Sequence, residues 1–196
     1  VLDPALLPSK EDYLKLIQAE ADGQNNIKPS IFSYFVGFDL AHQTTMSKLA
    51  DFAEHRQLDL KVDVLHSGGR AACAVPPSAI NPTPTQWLDA FRSATCVVTN
   101  SFHGVVFSII FERPFLIVFR SDGKSSGNER MNDLLRSLDL ERRGISQEAF
   151  EGNSSEEIQS LIESDIDWAS VRMRLDKLRS TSEAFLDSAL CSPAAG

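Results

Sequence analysis

The stretch CVVTNSFHGVVFSIIFERPF, residues 96–115, joins two apolar segments of different period through a single histidine. CVVTN (96–100) reads as a strand, because its residues are mostly β-branched and apolar. Residues 102–112 read as a helix that is apolar almost all round and therefore buried, and PFLIVF (114–119) as the next strand. Working outward, IFSYFVGF (31–38) is a nearly continuous β-branched and aromatic run, expected as a strand buried on both faces, and LKVDVLH (60–66) is another. Helices are expected over 9–20, 42–57, 84–94, 129–138, 154–164 and 168–189.

Ser9 and Asp12 have the spacing of a capping box behind Pro8. Met46, Leu49, Ala50 and Ala53 share one face of the second helix, and Trp87, Leu88 and Phe91 one face of the third. In the last helix Trp168, Val171, Leu175, Leu178, Phe185 and Ala189 stay in register. Strand and helix alternate four times, which predicts an α/β fold with a doubly wound parallel sheet, finished by helices over 150–190. There is no internal repeat and no low-complexity segment.

The composition excludes several classes. The 196 residues carry 19 Lys and Arg against 27 Asp and Glu, a net charge of −8, which argues against nucleic acid as the main partner. A small anionic ligand stays open, since the local field decides that. Three cysteines (Cys73, Cys96, Cys191) without a CxxC spacing favour a reducing, cytoplasmic setting over a disulfide framework. No run of 18 apolar residues exists, so no membrane span is expected. The opening VLDPALLPSKEDYLKLI shows no signal peptide and no initiating methionine, and reads as cut from a longer chain.

Ligands of open parallel sheets bind beyond the carboxyl ends of the strands. Three loops are expected there. In NSFHG (100–104), Ser101 can cap the following helix, whose amino end favours phosphate or carboxylate. His103 stands in the first turn, placed to donate a hydrogen bond or a proton, although the same position suits a histidine that only packs. Gly104 removes a side chain where a ligand can approach the backbone. HSGGR (66–70) offers Arg70 and, less directly, His66, but matches neither a P-loop nor GxGxxG. In RSDGKSSGNER (120–130), Arg120, Lys124 and Arg130 concentrate positive charge, and Asn128 can cap the next helix. His42, His55, His66 and His103 show no metal-ligand spacing, and neither a GxSxG elbow nor a cysteine in nucleophile context is present, so no metal site is expected.

With those residues in view, VVTNSFHGVVFSIIFERPF resembles the signature of the polysaccharide pyruvyl transferase family. LDPALL (2–7), FSYFVGF, WLDAFRSATCVVTNSFHG, NERMNDLLRSLDLERRGI (128–145) and FLDSAL (185–190) continue the likeness in order. It covers nearly the whole chain, but only the carboxyl-terminal half of a typical member. The resemblance implies a Rossmann-like donor-binding domain over 1–196, the second of a GT-B-like pair, with 150–190 as its helical extension and the amino-terminal acceptor half absent. It implies transfer of a pyruvyl group from phosphoenolpyruvate to a sugar or glycan hydroxyl in cell-surface or exopolysaccharide synthesis. No cofactor besides the donor is implied, and the setting would be cytoplasmic, with peripheral contact at the inner membrane also open.

Carried onto this chain, His103 becomes the donor-site histidine and possible general acid. Asn100, Ser101, Phe102 and Gly104 shape the turn, and Asn128 and Arg130 fall on the Asn-x-Arg positions. Where many relatives carry Arg-Leu-His, this chain has Ser-Phe-His, so either Arg70, Lys124 or Arg130 would replace the missing arginine or the donor differs. A nucleotide-sugar glycosyltransferase and a non-catalytic domain docking through its last helix are the competing readings.

Overall fold

The computed structural model describes residues 2–20, 28–38, 42–66, 80–120 and 125–191. Five strands, β1 (Ser30–Phe38), β2 (Asp59–His66), β3 (Cys96–Thr99), β4 (Phe115–Phe119) and β5 (Gly144–Ser146), form one sheet in the order β2-β1-β3-β4-β5. Every pairing is parallel, with Phe32 opposite Val97, Val97 opposite Phe115 and Ile117 opposite Gly144. The helices are α1 (Lys10–Glu20), α2 (Gln43–His55), α3 (Pro84–Ser93), α4 (Phe102–Ile110), α5 (Ser125–Leu138), α6 (Gln147–Gly152), α7 (Ser155–Glu163) and α8 (Trp168–Cys191). The expected doubly wound parallel sheet is present.

The alternation along each strand sorts the core into two layers. Phe32, Val97, Phe115 and Ile117 face α3, α4 and α5, together with Val171 and Leu175 of α8. Ile31, Phe35, Val98 and Leu116 face the other way, onto Leu49 and Phe52 of α2 and Ile158 and Ile162 of α7. Beyond its first two residues helix α4 lies inside, with residues 104–110 all buried. Edge-on contacts link Tyr34 to Trp87, and Trp87 and Tyr13 to Phe107. Cys96 is buried, and burial pushes its thiol up to about 12, Arg56 opposing and Glu163 adding slightly. It behaves as a small hydrophobe, not as a nucleophile.

Several local expectations need correction. The three residues of β5, too few to show a period, pair with β4 where the sequence pattern suggested only helices. Ala50 is exposed, and Phe52 takes its place on the buried face of α2. Phe185 is 57% exposed, so the apolar register of α8 outruns its contacts. The capping box at Ser9 and Asp12 is formed in both directions.

The segment before α1 is strapped to α8. The amide of Leu2 donates to Ser182 Oγ at 2.9 Å, and Arg179 donates to the carbonyls of Leu6 and Pro8 at 2.7 and 3.1 Å. A second clasp is Glu112, which pairs with Lys10 of α1 at 3.3 Å and Arg172 of α8 at 2.5 Å. Burial raises the Glu112 carboxyl, but the Arg172 hydrogen bond and the Lys10 charge outweigh it and hold the group below its ordinary value. A depressed carboxyl contributes stability above its unfolded pKa and loses it as pH falls through the folded one. Glu112→Gln should therefore cost about 1 kcal/mol near neutrality, given the partly exposed partners. The gap to wild type should close below about pH 4, in urea melts across pH. A gap that persists there would contradict the assignment.

Candidate functional site

In a sheet ordered 2-1-3-4-5, the chain reverses its winding between β1 and β3, and the crevice lies beyond the carboxyl ends of those strands. A cleft of about 460 Å³ opens there. Tyr34 and Val36 of β1 form one wall, residues 100–103 the next, and Arg120 with Asn128 and Met131 the third.

The floor is built by side chains that substitute for backbone. The β1–β3 ladder stops at Tyr34 and Thr99, and Asn100 extends it with its amide. Asn100 Oδ1 accepts from the Val36 amide at 2.7 Å, and Nδ2 donates to the Val36 carbonyl at 3.1 Å. Thr99 Oγ1 donates to the Tyr34 carbonyl and accepts the Ser101 amide at 3.0 Å. Gly37, with φ +69°, makes the bulge that ends β1, a conformation that favours glycine.

Ser101 occupies the N-cap position of α4, but its hydroxyl makes no capping bond, which corrects the expected side-chain cap. The first-turn amides of a helix have no intrahelical acceptor, so this end of α4 still offers donors and a positive dipole end at the cleft. His103 stands in that turn with its side chain 52% exposed. Gly104 is buried, and a Cβ there would lie 2.2 Å from Thr99 Oγ1. The space it leaves is filled by Thr99, so this glycine serves helix-to-strand packing.

The remaining expectations separate. Asn128 lies inside α5, not before it, and its Nδ2 donates to the Arg120 carbonyl at 3.2 Å, tying α5 to the end of β4. Arg130 stands beyond Phe102, its guanidinium 4.2 Å from the ring centroid and 3.1 Å from Asp3 Oδ2. It lines a neighbouring groove between the amino-terminal segment, α5 and α8. Asp3 Oδ1 also lies 3.9 Å from His103 Nε2, so one carboxylate faces two of the expected site residues. Arg70 and Lys124 lie outside the described residues, as does HSGGR beyond the end of β2.

Sequence reasoning passed over Asp3, Tyr34 and Val36, and read Arg120 only as one of three cations. For Asp3 a signal existed: an Asp-Pro pair begins a helical turn, and Asp3 does accept the Ala5 amide at 3.0 Å. Among the described residues no group of three or more His, Cys, Asp or Glu side chains is placed to hold a metal, and no helix is long and apolar enough to cross a membrane.

The fold is an open parallel α/β sheet, with the amino end of α4, His103 and Arg120 together at the cleft beside its switch point. The family model for polysaccharide pyruvyl transferase matches residues 1–122, more than half of the chain, and the protein belongs to that transferase family. No curated protein matches the chain. Solved structures that it resembles include the glycotransferase of kitacinnamycin, at 16% identity and a TM-score of 0.49 over 84% of this chain. Another is the glycosyltransferase SnogD from Streptomyces nogalater, at 16% identity and a TM-score of 0.42 over 82% of this chain. The chain spans 42% and 40% of the lengths of those two proteins.

Proposed function

We propose that the cleft binds phosphoenolpyruvate and presents it for pyruvyl transfer to a sugar hydroxyl in the synthesis of a cell-surface or exported polysaccharide. The observation that carries this reading is the position of the Ser-Phe-His-Gly turn. In a member of the pyruvyl transferase family it falls at the sheet's switch point, with the α4 amides and His103 at one cleft. Phosphoenolpyruvate carries a phosphate and a carboxylate, and a helix amino end with arginine forks suits both.

In the proposed reaction methylene C3 gains a proton and an acceptor oxygen bonds to C2. The C2–O bond to phosphate breaks, and a second hydroxyl closes the ketal. Of the two hydroxyl hydrogens, one ends on the new methyl group and the other on the departing phosphate. His103, half exposed at the anion end, is the residue assigned to bind that phosphate and deliver the proton to C3. The α4 terminus stabilises the charge that gathers on the leaving phosphate. The acceptor and the base for its hydroxyl belong, in this reading, to an amino-terminal half outside this chain. The reaction needs no cofactor besides the donor.

Calorimetric titration with phosphoenolpyruvate, wild type against His103→Ala, tests the proposal. Saturable binding weakened about tenfold or more by the substitution is the expected result, the scale of a lost hydrogen bond to a charged group. Equal affinity in the two proteins would remove His103 from the donor site. A nucleotide-sugar donor is the second reading, favoured by a cleft volume within the range that takes drug-sized ligands. Binding of UDP or a CMP-linked ligand without any of phosphoenolpyruvate would decide for it.

A further inference from the structure

Two arginines border the Ser-Phe-His turn, and the fold uses them differently. The Arg130 fork faces the Asp3 carboxylate, lies over the Phe102 ring and lines the neighbouring groove, not this cleft. Arg120 leaves the end of β4 and reaches the end of β1, where Nη1 donates to the Val36 carbonyl at 3.1 Å. Those strands are not neighbours. β3 lies between them, so the side chain and its hydrogen bond together bridge two strand spacings, about 10 Å, along the carboxyl edge of the sheet.

The slot that receives it is specific. A Cβ on Gly37 would lie 2.2 Å from Arg120 Nη1, so the guanidinium sits where a side chain on β1 would otherwise stand. The Val36 carbonyl also accepts Asn100 Nδ2, so Arg120 and Asn100 meet at one backbone oxygen of the cleft. What the arrangement achieves is a planar, permanently charged fork fixed in the same cleft lining as Asn100 and His103.

We propose that Arg120 is the anion-recognition arginine of this cleft. It takes the phosphate or carboxylate of the donor bidentately and supplies the guanidinium that the Ser-Phe-His turn lacks. The inference rests on the donor-site reading above for the identity of the ligand, but the anion chemistry is shared by phosphoenolpyruvate and a nucleoside diphosphate. It also assigns the role to a residue other than the three that the sequence offered.

The test is calorimetric titration of wild type, Arg120→Gln and Arg120→Lys with phosphoenolpyruvate, inorganic phosphate and UDP, with thermal melts confirming the fold. Arg120→Gln should weaken phosphoenolpyruvate binding about 10- to 100-fold at an unchanged melting temperature, and Arg120→Lys should restore only part of it. Phosphoenolpyruvate binding within twofold of wild type in Arg120→Gln would overturn the inference and leave the donor reading standing. Arg120-dependent binding of UDP without any of phosphoenolpyruvate would sustain the inference and sink the pyruvyl donor. A wild-type protein that binds none of the three would sink both. If Arg120→Gln does not fold, Arg120→Lys decides, because full affinity with an ammonium would rule out a bidentate fork.

Discussion

Gly104→Ala should lower stability by about 1–3 kcal/mol, the opposite of what the same change does in an ordinary helix. Alanine is favoured over glycine inside helices by about 1 kcal/mol. Here the added methyl would stand 2.2 Å from Thr99 Oγ1, and Thr99 cannot simply turn away. Its hydroxyl is bound to the Tyr34 carbonyl and the Ser101 amide, and the residue is fully buried. Relief requires α4 to lift off β3 or Thr99 to drop both bonds. In a domain of this size the cost corresponds to about 2–4 °C in melting temperature per kcal/mol. A double-mutant cycle isolates the cause: Thr99→Ala with Gly104→Ala should cost at least 0.5 kcal/mol less than the sum of the singles. Unchanged stability with weakened ligand binding would return Gly104 to a purely ligand-facing role.

Arg143→Met should cost about 2–4 kcal/mol, although the side chain does not line the cleft. Arg143 is 3% exposed, and its guanidinium donates to the carbonyls of Leu161 at 3.0 Å, Ile162 at 2.9 Å and Asp165 at 3.2 Å, and also to that of Ser164. Those are the carbonyls at and beyond the end of α7, where a helix has acceptors without partners and a negative dipole end. Burial lowers the pKa of the guanidinium, with Asp165 opposing, but an arginine starts high enough to remain charged. Methionine keeps much of the volume and leaves those acceptors unpaired. Lysine should recover little, since one ammonium cannot fan out over four carbonyls. Urea melts give the size of the effect, and hydrogen exchange gives its place, with faster exchange expected around residues 158–166. A loss under 0.5 kcal/mol would mean that water replaces the guanidinium without penalty.

Much of the sheet was legible because its signals are local. The change from strand to helix period at Thr99–Phe102 locates β3 and α4, and apolar runs locate β1 and β4. Short β5 escaped because its three residues owe their conformation to pairing with β4. At the site, the turn 100–103 was legible as a place, but not the task of each residue. A glycine does not reveal on which side its missing atom would fall, so the packing of Gly104 against Thr99 could not be read from the sequence. Asn100 looked like a ligand contact, and both arms of its amide are engaged by Val36. The approach of Arg120 to Val36 and of Asp3 to Arg130 spans 84 and 127 positions, beyond any periodicity.

The strap between the opening segment and α8 sets an order of events during synthesis. Its bonds join residues 180, 173 and 171 positions apart, so they close only after α8 has left the ribosome. The strands from β1 to β5 pair over much shorter separations and can assemble as they emerge. Asp3 is made before any of them, yet its place beside Arg130 and His103 is secured only when α8 docks. Within this chain, the corner of the cleft region that is translated first is the one finished last.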